Sequence, residues 1–181
     1  MADSTPPPDD RPPRFTRRQV VAASALLAAS GTLGVGARIA TWWDQPPGEG
    51  YAALSNSEAE LVDALAEALF PAGGVPALSG ADAGIARFMD EVLSTMEDPM
   101  GNLLRTLLHA LDDWALLTRG RGYARLSLED RSERLAEWLR NPRLEVRGAV
   151  TSLMIFISMG YCGHPEVKTA CGWIFPCGYE R

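Results

Sequence analysis

The chain has 181 residues, 46% of them hydrophobic and 22% charged, the proportions of an ordinary globular protein of about one domain. Its net charge is −6, from 17 basic and 23 acidic residues, so it lacks the basic footprint of a nucleic-acid-binding protein. Three cysteines, all beyond residue 161, and two histidines exclude a disulfide-dense scaffold. They also leave little material for a histidine metal site or a catalytic triad.

Residues 1–15 are rich in proline and have no apolar period, which reads as an unstructured leader. Thr16-Arg17-Arg18-Gln19-Val20-Val21 follows, and from Val20 to Ala37 there is no charge. A basic pair, an apolar run and small residues, in that order, make an export signal. The adjacent Arg17 and Arg18 resemble the pair of a twin-arginine signal. Gly31, Gly34 and Gly36 weaken the run, and Val35-Gly36-Ala37 offers a small-residue cleavage site. Residues 1–37 are therefore read as a twin-arginine signal peptide. A retained membrane anchor is the alternative, because a run of roughly 18 residues is at the lower limit for spanning a bilayer. The twin-arginine route carries folded proteins, with a cofactor already inserted or with a partner. This chain shows no cofactor motif, so the signal points to a partner that holds the cofactor.

Residues 38–56 contain Trp42-Trp43 and then the turn formers Pro46-Pro47-Gly48, and read as a linker. The tryptophan pair suits either a membrane interface or packing on the domain.

Residues 57–181 read as an all-α bundle of about five main helices with an irregular C-terminal tail. Ser57-Glu58-Ala59-Glu60 has the form of a capping box, followed by Leu61, Ala64, Leu65, Ala68 and Leu69 at helical spacing, with Pro71 as the stop. A second helix is expected from near Asp82. Ile85, Phe88, Met89, Val92 and Leu93 form its inner stripe, with Arg87, Asp90 and Glu91 outside. A third begins after Pro99, with Leu103, Leu104, Leu107, Leu108, Leu111, Trp114 and Ala115 on one broad face and Gly120 and Gly122 as breakers. Ser127 caps a fourth, which Asn141-Pro142 closes. The fifth differs: Gly148 to Met159 is uncharged, so this helix is either central or covered by another chain.

The tail, residues 160–181, holds the unusual chemistry. His164-Pro165 suits the start of a short helix and Gly172 its end. Trp173, Ile174, Phe175 and Tyr179 follow, an aromatic load that needs a surface, the chain's own bundle or a partner's. Gly148–Met159, with His164, Pro165, Trp173, Phe175 and Tyr179, is the expected partner-facing set. Cys162, Cys171 and Cys177 admit three readings: one intrachain disulfide, thiols paired with another chain or reduced, or a metal or iron–sulfur site that includes His164. Paired C-x2-C knuckles, which would favour metal, are missing.

No nucleophile elbow, P-loop or dinucleotide fingerprint occurs. Asp112-Asp113 reads as a solvated face, since neighbours on a helix point about 100° apart. His109 reads as a packed or surface residue. Arg119, Arg121 and Arg125 read as a loop with ion pairs.

Four segments in order carry a resemblance: the twin-arginine leader, Leu65–Pro71, Tyr123–Arg131, and Gly160-Tyr161-Cys162-Gly163-His164-Pro165-Glu166-Val167. Together they resemble the small subunit of gluconate 2-dehydrogenase, the subunit 3 family. The resemblance implies a small helical, non-catalytic protein that accompanies a large flavin-dependent alcohol or sugar dehydrogenase of the glucose–methanol–choline type. FAD and the catalytic residues would lie in that large subunit, a cytochrome c would take the electrons, and the leader would export the pair to the periplasm through the twin-arginine translocase. Family members commonly carry Tyr where Cys162 stands, and a different close where Gly172–Tyr179 stands, so this chain resembles a divergent branch. A small redox protein using the tail cysteines, and an exported structural module, are the alternative readings.

Overall fold

The structure is a computed structural model and describes residue 41 and residues 45–172. Among the described residues there are six α-helices and no strand. They are α1 (Asn56–Leu69), α2 (Ile85–Thr95), α3 (Asp98–Arg119), α4 (Leu128–Leu139), α5 (Leu144–Gly163) and the short α6 (Pro165–Ala170), with a 3-10 turn at Tyr123–Arg125 between α3 and α4.

Central in the bundle is α1, which packs against α2, α3, α4 and α5. It buries Leu61, Val62, Leu65 and Ala66. Its capping box lies two residues earlier than the sequence reading placed it. The Ser55 hydroxyl accepts from Glu58 N, and the Glu58 carboxylate accepts from Ser55 N. Both Ser55-x-x-Glu58 and Ser57-x-x-Glu60 satisfy the pattern. Glu58 is selected because its carboxylate is also drawn inward by Arg105 and His109, whereas Glu60 is exposed.

Residues 45–54, within the segment read as a linker, are folded onto this body. Leu54 is fully buried. Asp90 of α2 accepts from the backbone N–H groups of Ala52, Ala53 and Leu54, each at 2.8 Å. Asp90 was expected on the outer side of α2, and its burial corrects that expectation. Three otherwise unsatisfied backbone donors require an acceptor there, and the carboxylate supplies it. Burial pushes the Asp90 pKa up, but these three bonds, with Arg87 nearby, leave it below the ordinary carboxylate range.

Helix α2 starts at Ile85, three residues beyond Asp82, because Asp82 is held in a turn. Its carboxylate accepts from the Ser79 hydroxyl at 2.6 Å, and Gly84 then adopts φ +68 before the helix begins. The first turn of α2 is capped from α1: Asp63 accepts from Ala86 N, although burial, the larger effect, raises its pKa. Pro99 lies in the first turn of α3, and Gly120, at φ +71, ends it. Ser127 caps α4 by accepting from Asp130 N at 3.1 Å. Tyr123 is fully buried, stacks on Trp138 at 5.4 Å, and donates its hydroxyl hydrogen bond to Arg131 O.

Two glycines set the distances between layers. A Cβ on Gly80 would overlap the backbone of Ala66, and one on Gly160 would overlap the Phe88 ring. The first lets the loop before α2 lie against α1, and the second lets α5 lie against α2.

Candidate partner-binding surface

Helix α5 is two-sided. Val150, Leu153, Ile157, Gly160 and Tyr161 are buried in the bundle. On the other side Leu144, Ile155 and Met159 are more than half exposed, with Gly148, Thr151 and Ser152 exposed between them. These positions recur at intervals of three and four, so they form one stripe along the helix. From Gly148 onward the stripe carries no charge. The central place in the bundle thus belongs to α1, and α5 contributes a half-buried apolar helix. Among the described residues α5 is the helix long and apolar enough to cross a membrane, and its inner side is occupied by the bundle.

The end of α5 is fixed by Tyr161. Its ring stacks on Phe70 at 3.9 Å with planes 4° apart, and its hydroxyl donates to Leu78 O at 2.8 Å. Burial raises its pKa, as do the nearby Cys171, Cys162 and Glu166. The chain then turns. His164 is the N-cap of α6, its Nδ1 accepting from Glu166 N at 3.3 Å. Exposed Pro165 fills the first helical position, where no N–H is needed. Glu166 lies in the positive first turn, and Val167 is buried and anchors α6. Gly172, at φ +65, follows that helix.

Each residue of Gly160-Tyr161-x-x-His164-Pro165-Glu166-Val167 therefore has a structural task. Together they form a joint that stops α5 and aims the following chain. Cys162 is half-buried and Cys171 exposed, and both are free thiols. No group of three or more His, Cys, Asp or Glu suited to a metal ion occurs among the described residues. Arg17, Arg18, Trp173, Phe175, Cys177 and Tyr179, all named from the sequence, lie outside the described residues.

The main buried charge centre lies elsewhere, on α1 and α3. Glu58 is 1% exposed. Its carboxylate accepts from Arg105 Nε at 2.8 Å, Arg105 Nη2 at 3.0 Å, His109 Nε2 at 2.8 Å and Ser55 N at 2.8 Å. Burial alone would raise its pKa, but these bonds and the Arg105 charge outweigh it and hold the group at about 2. His109 is accordingly packed.

Asp112 and Asp113, expected on a solvated face, are both buried, which corrects that reading. Asp112 accepts from Tyr123 N at 2.6 Å, and Gly122 lies so close that a Cβ there would press on the carboxylate. Asp112 thus pins the loop after α3. The arginines of that loop do include an ion pair, Arg119 with Glu133 at 3.3 Å. The Glu58 and Asp112 carboxylates are thus committed to the scaffold. A cavity of about 270 Å³ opens between Gln45, Pro47, Leu93, Met96, Asp98 and Arg105, and the arginine there is already engaged by Glu58.

Comparison with known families matches residues 56–175 to the family described as Gluconate 2-dehydrogenase subunit 3. The chain belongs to this family. No curated protein and no solved structure matches it. Membership makes the chain a member of a small-subunit family, an accessory one, and bears on how the geometry is read. In this subunit 3 protein the string Gly160–Val167 builds the joint between α5 and α6. Among the described residues, the outer face of α5 that leads into this joint is exposed and uncharged from Gly148 onward.

Proposed function

We propose that this chain is the non-catalytic small subunit of an exported, flavin-dependent sugar or alcohol dehydrogenase. It stabilises a large flavoprotein subunit and carries it through the twin-arginine route to the periplasm. The observation that carries this reading is the exposed, uncharged stripe of α5, Leu144–Ile155–Met159, in a chain whose family is named for a subunit of a larger enzyme. An apolar stripe of this length left in water invites association, and a second subunit is its natural cover. Trp173, Phe175 and Tyr179, which follow α6 in the sequence, are proposed to join that contact. Each large aromatic would contribute roughly 150–250 Å² of contact.

The chemistry assigned to each partner follows. FAD and the groups that move protons and hydride belong to the large subunit, which a cytochrome c relieves of electrons. The present chain supplies the address, Arg17-Arg18, and the docking face. Co-purification tests this. A tagged chain is expected to bring down a protein with a flavin spectrum and dehydrogenase activity, and Ile155→Glu with Met159→Glu is expected to release it. Full retention of the flavoprotein by the double variant would remove the α5 face from the interface.

A further inference from the structure

The exposed stripe of α5 carries no charge from Gly148 onward. Apolar contact alone would let a docked partner slide along it or lie in either direction, and charge at one end is what fixes a register. The turn that opens α5 carries such a charge. Residues 140–147 hold Arg140, Arg143 and Arg147 against one acid, Glu145. Residues 45–139, by contrast, hold 7 arginines against 16 acidic residues. Four of those seven are in ion pairs, Arg105 with Glu58, Arg119 with Glu133, Arg131 with Glu67 and Arg134 with Glu137. Among the described residues none of the three arginines of the α4–α5 turn has an acidic partner.

These arginines border the apolar stripe. Arg143 directly precedes Leu144, which is 69% exposed and begins the stripe. Arg147 lies about 60° round the helix from Leu144, and its Nη1 donates to Asn141 O at 3.0 Å, which draws its guanidinium back toward the turn. Arg140 and Arg143 are exposed. The other arginine-rich stretch, Arg119 to Arg125, lies at the far end of α4. At the opposite end of the stripe, on α6, Glu166 and Lys168 balance each other. The stripe is thus apolar along its length and basic at its start only.

We propose that Arg140, Arg143 and Arg147 receive carboxylates of the large subunit, which presents to α5 an apolar surface with an acidic margin at the end nearest the α4–α5 turn. This rests on the reading of α5 as the docking face, and adds to it the partner's charge and the direction in which it lies. Arginine suits the task, because its planar fork pairs bidentately with a carboxylate. An anionic lipid surface is the less fitting occupant. A helix that lies in a bilayer interface carries cations along its polar flanks, whereas α5 has no charge beyond Arg147. Charges at the rim of an interface act mainly on the rate of encounter and its salt dependence, while the apolar stripe decides how long the pair persists.

Binding kinetics test this, with the flavoprotein that co-purifies with the tagged chain separated and rebound to immobilised full-length chain. Arg140→Glu with Arg143→Glu is expected to slow association about tenfold or more at low salt, with little change in dissociation. Arg140→Lys with Arg143→Lys should keep most of the wild-type rate, since the charge is retained. Raising salt from about 50 mM to about 500 mM should bring wild type and the glutamate variant together. Both positions are exposed, and each variant is scored with wild-type helical circular dichroism. Wild-type association by the glutamate variant, in a protein that Ile155→Glu with Met159→Glu still releases, would overturn this inference and leave the α5 reading standing. Full retention by both variants, or a chain that brings down no flavoprotein, would remove the two together. Vesicles of phosphatidylglycerol and phosphatidylcholine are expected not to bind. Salt-sensitive binding to them that the glutamate variant loses would assign the arginines to a lipid surface and overturn the inference.

Discussion

The Nε2 atom of His109 donates to Glu58 Oε1 at 2.8 Å, and Arg105 Nε reaches that same oxygen at the same distance. One carboxylate at the start of α1 thereby holds two side chains of α3, one turn apart, while also capping its own helix. The first turn of α1 and the middle of α3 are fixed by a single residue.

Replacing Glu58 should therefore be far more damaging than removing an ordinary cap. Glu58→Ala leaves Arg105 and His109 without their acceptor and Ser55 N unsatisfied. Breaking a buried pair from one side costs about 3–5 kcal/mol. Urea unfolding monitored by helical circular dichroism is expected to show a loss of that order. A loss below about 1 kcal/mol, the usual value of a cap, would mean that the centre is not cohesive.

Acid should unfold the protein through the same group. Glu58 is held at about 2 against an ordinary value of 4.5, and Asp90 is lowered as well. A carboxylate depressed in the folded state adds stability that is fully present above its unfolded value and disappears as pH falls through its folded value. Stability is expected to decline from about pH 4.5 to about pH 2, by about 3 kcal/mol for Glu58. Melting curves across that range test it. The Glu58→Ala variant should show a flatter decline.

The aromatic tail distinguishes interface from core. Deleting residues 172–181 is expected to leave a cooperative helical melt, because the buried apolar residues of α1 to α6 already pack those helices on one another, while capture of the flavoprotein falls. Loss of the cooperative melt would assign the tail to the chain's own core.

Much of this fold was legible because helices announce themselves by period and punctuation. Pro99 and Gly120 bracket α3, Ser127 opens α4, and His164-Pro165 opens α6, each for a local reason that needs no tertiary information. What the sequence concealed is non-local. Asp90 and Asp112 look like outward charges on amphipathic helices, yet each accepts backbone hydrogen bonds from a loop, at Ala52–Leu54 and at Tyr123. Nothing in a helical period reveals that a distant loop will need an acceptor. Glu58 and Glu60 compete for the same cap by pattern alone, and partners some fifty positions away decide between them. The exposed face of α5 was half legible: its uncharged run was evident, but which side faces outward depends on Gly160 and Tyr161 docking against Phe88 and Phe70.

Export should depend on the arginine pair. With Arg17→Lys and Arg18→Lys, both this chain and the flavoprotein it carries are expected to remain in the cytoplasm. Fractionation and immunoblotting of both proteins test this, and undiminished periplasmic flavoprotein would mean that the address lies elsewhere.

The central claim is that this chain holds the enzyme and does not perform the reaction. Its most direct test is flavin content and sugar or alcohol oxidation, measured on the purified chain alone and on the purified complex. The account predicts neither flavin nor turnover for the chain alone, and stoichiometric flavin with turnover in the complex, the flavin residing in the larger subunit. Stoichiometric flavin bound to this chain by itself, with substrate-dependent reduction, would contradict it.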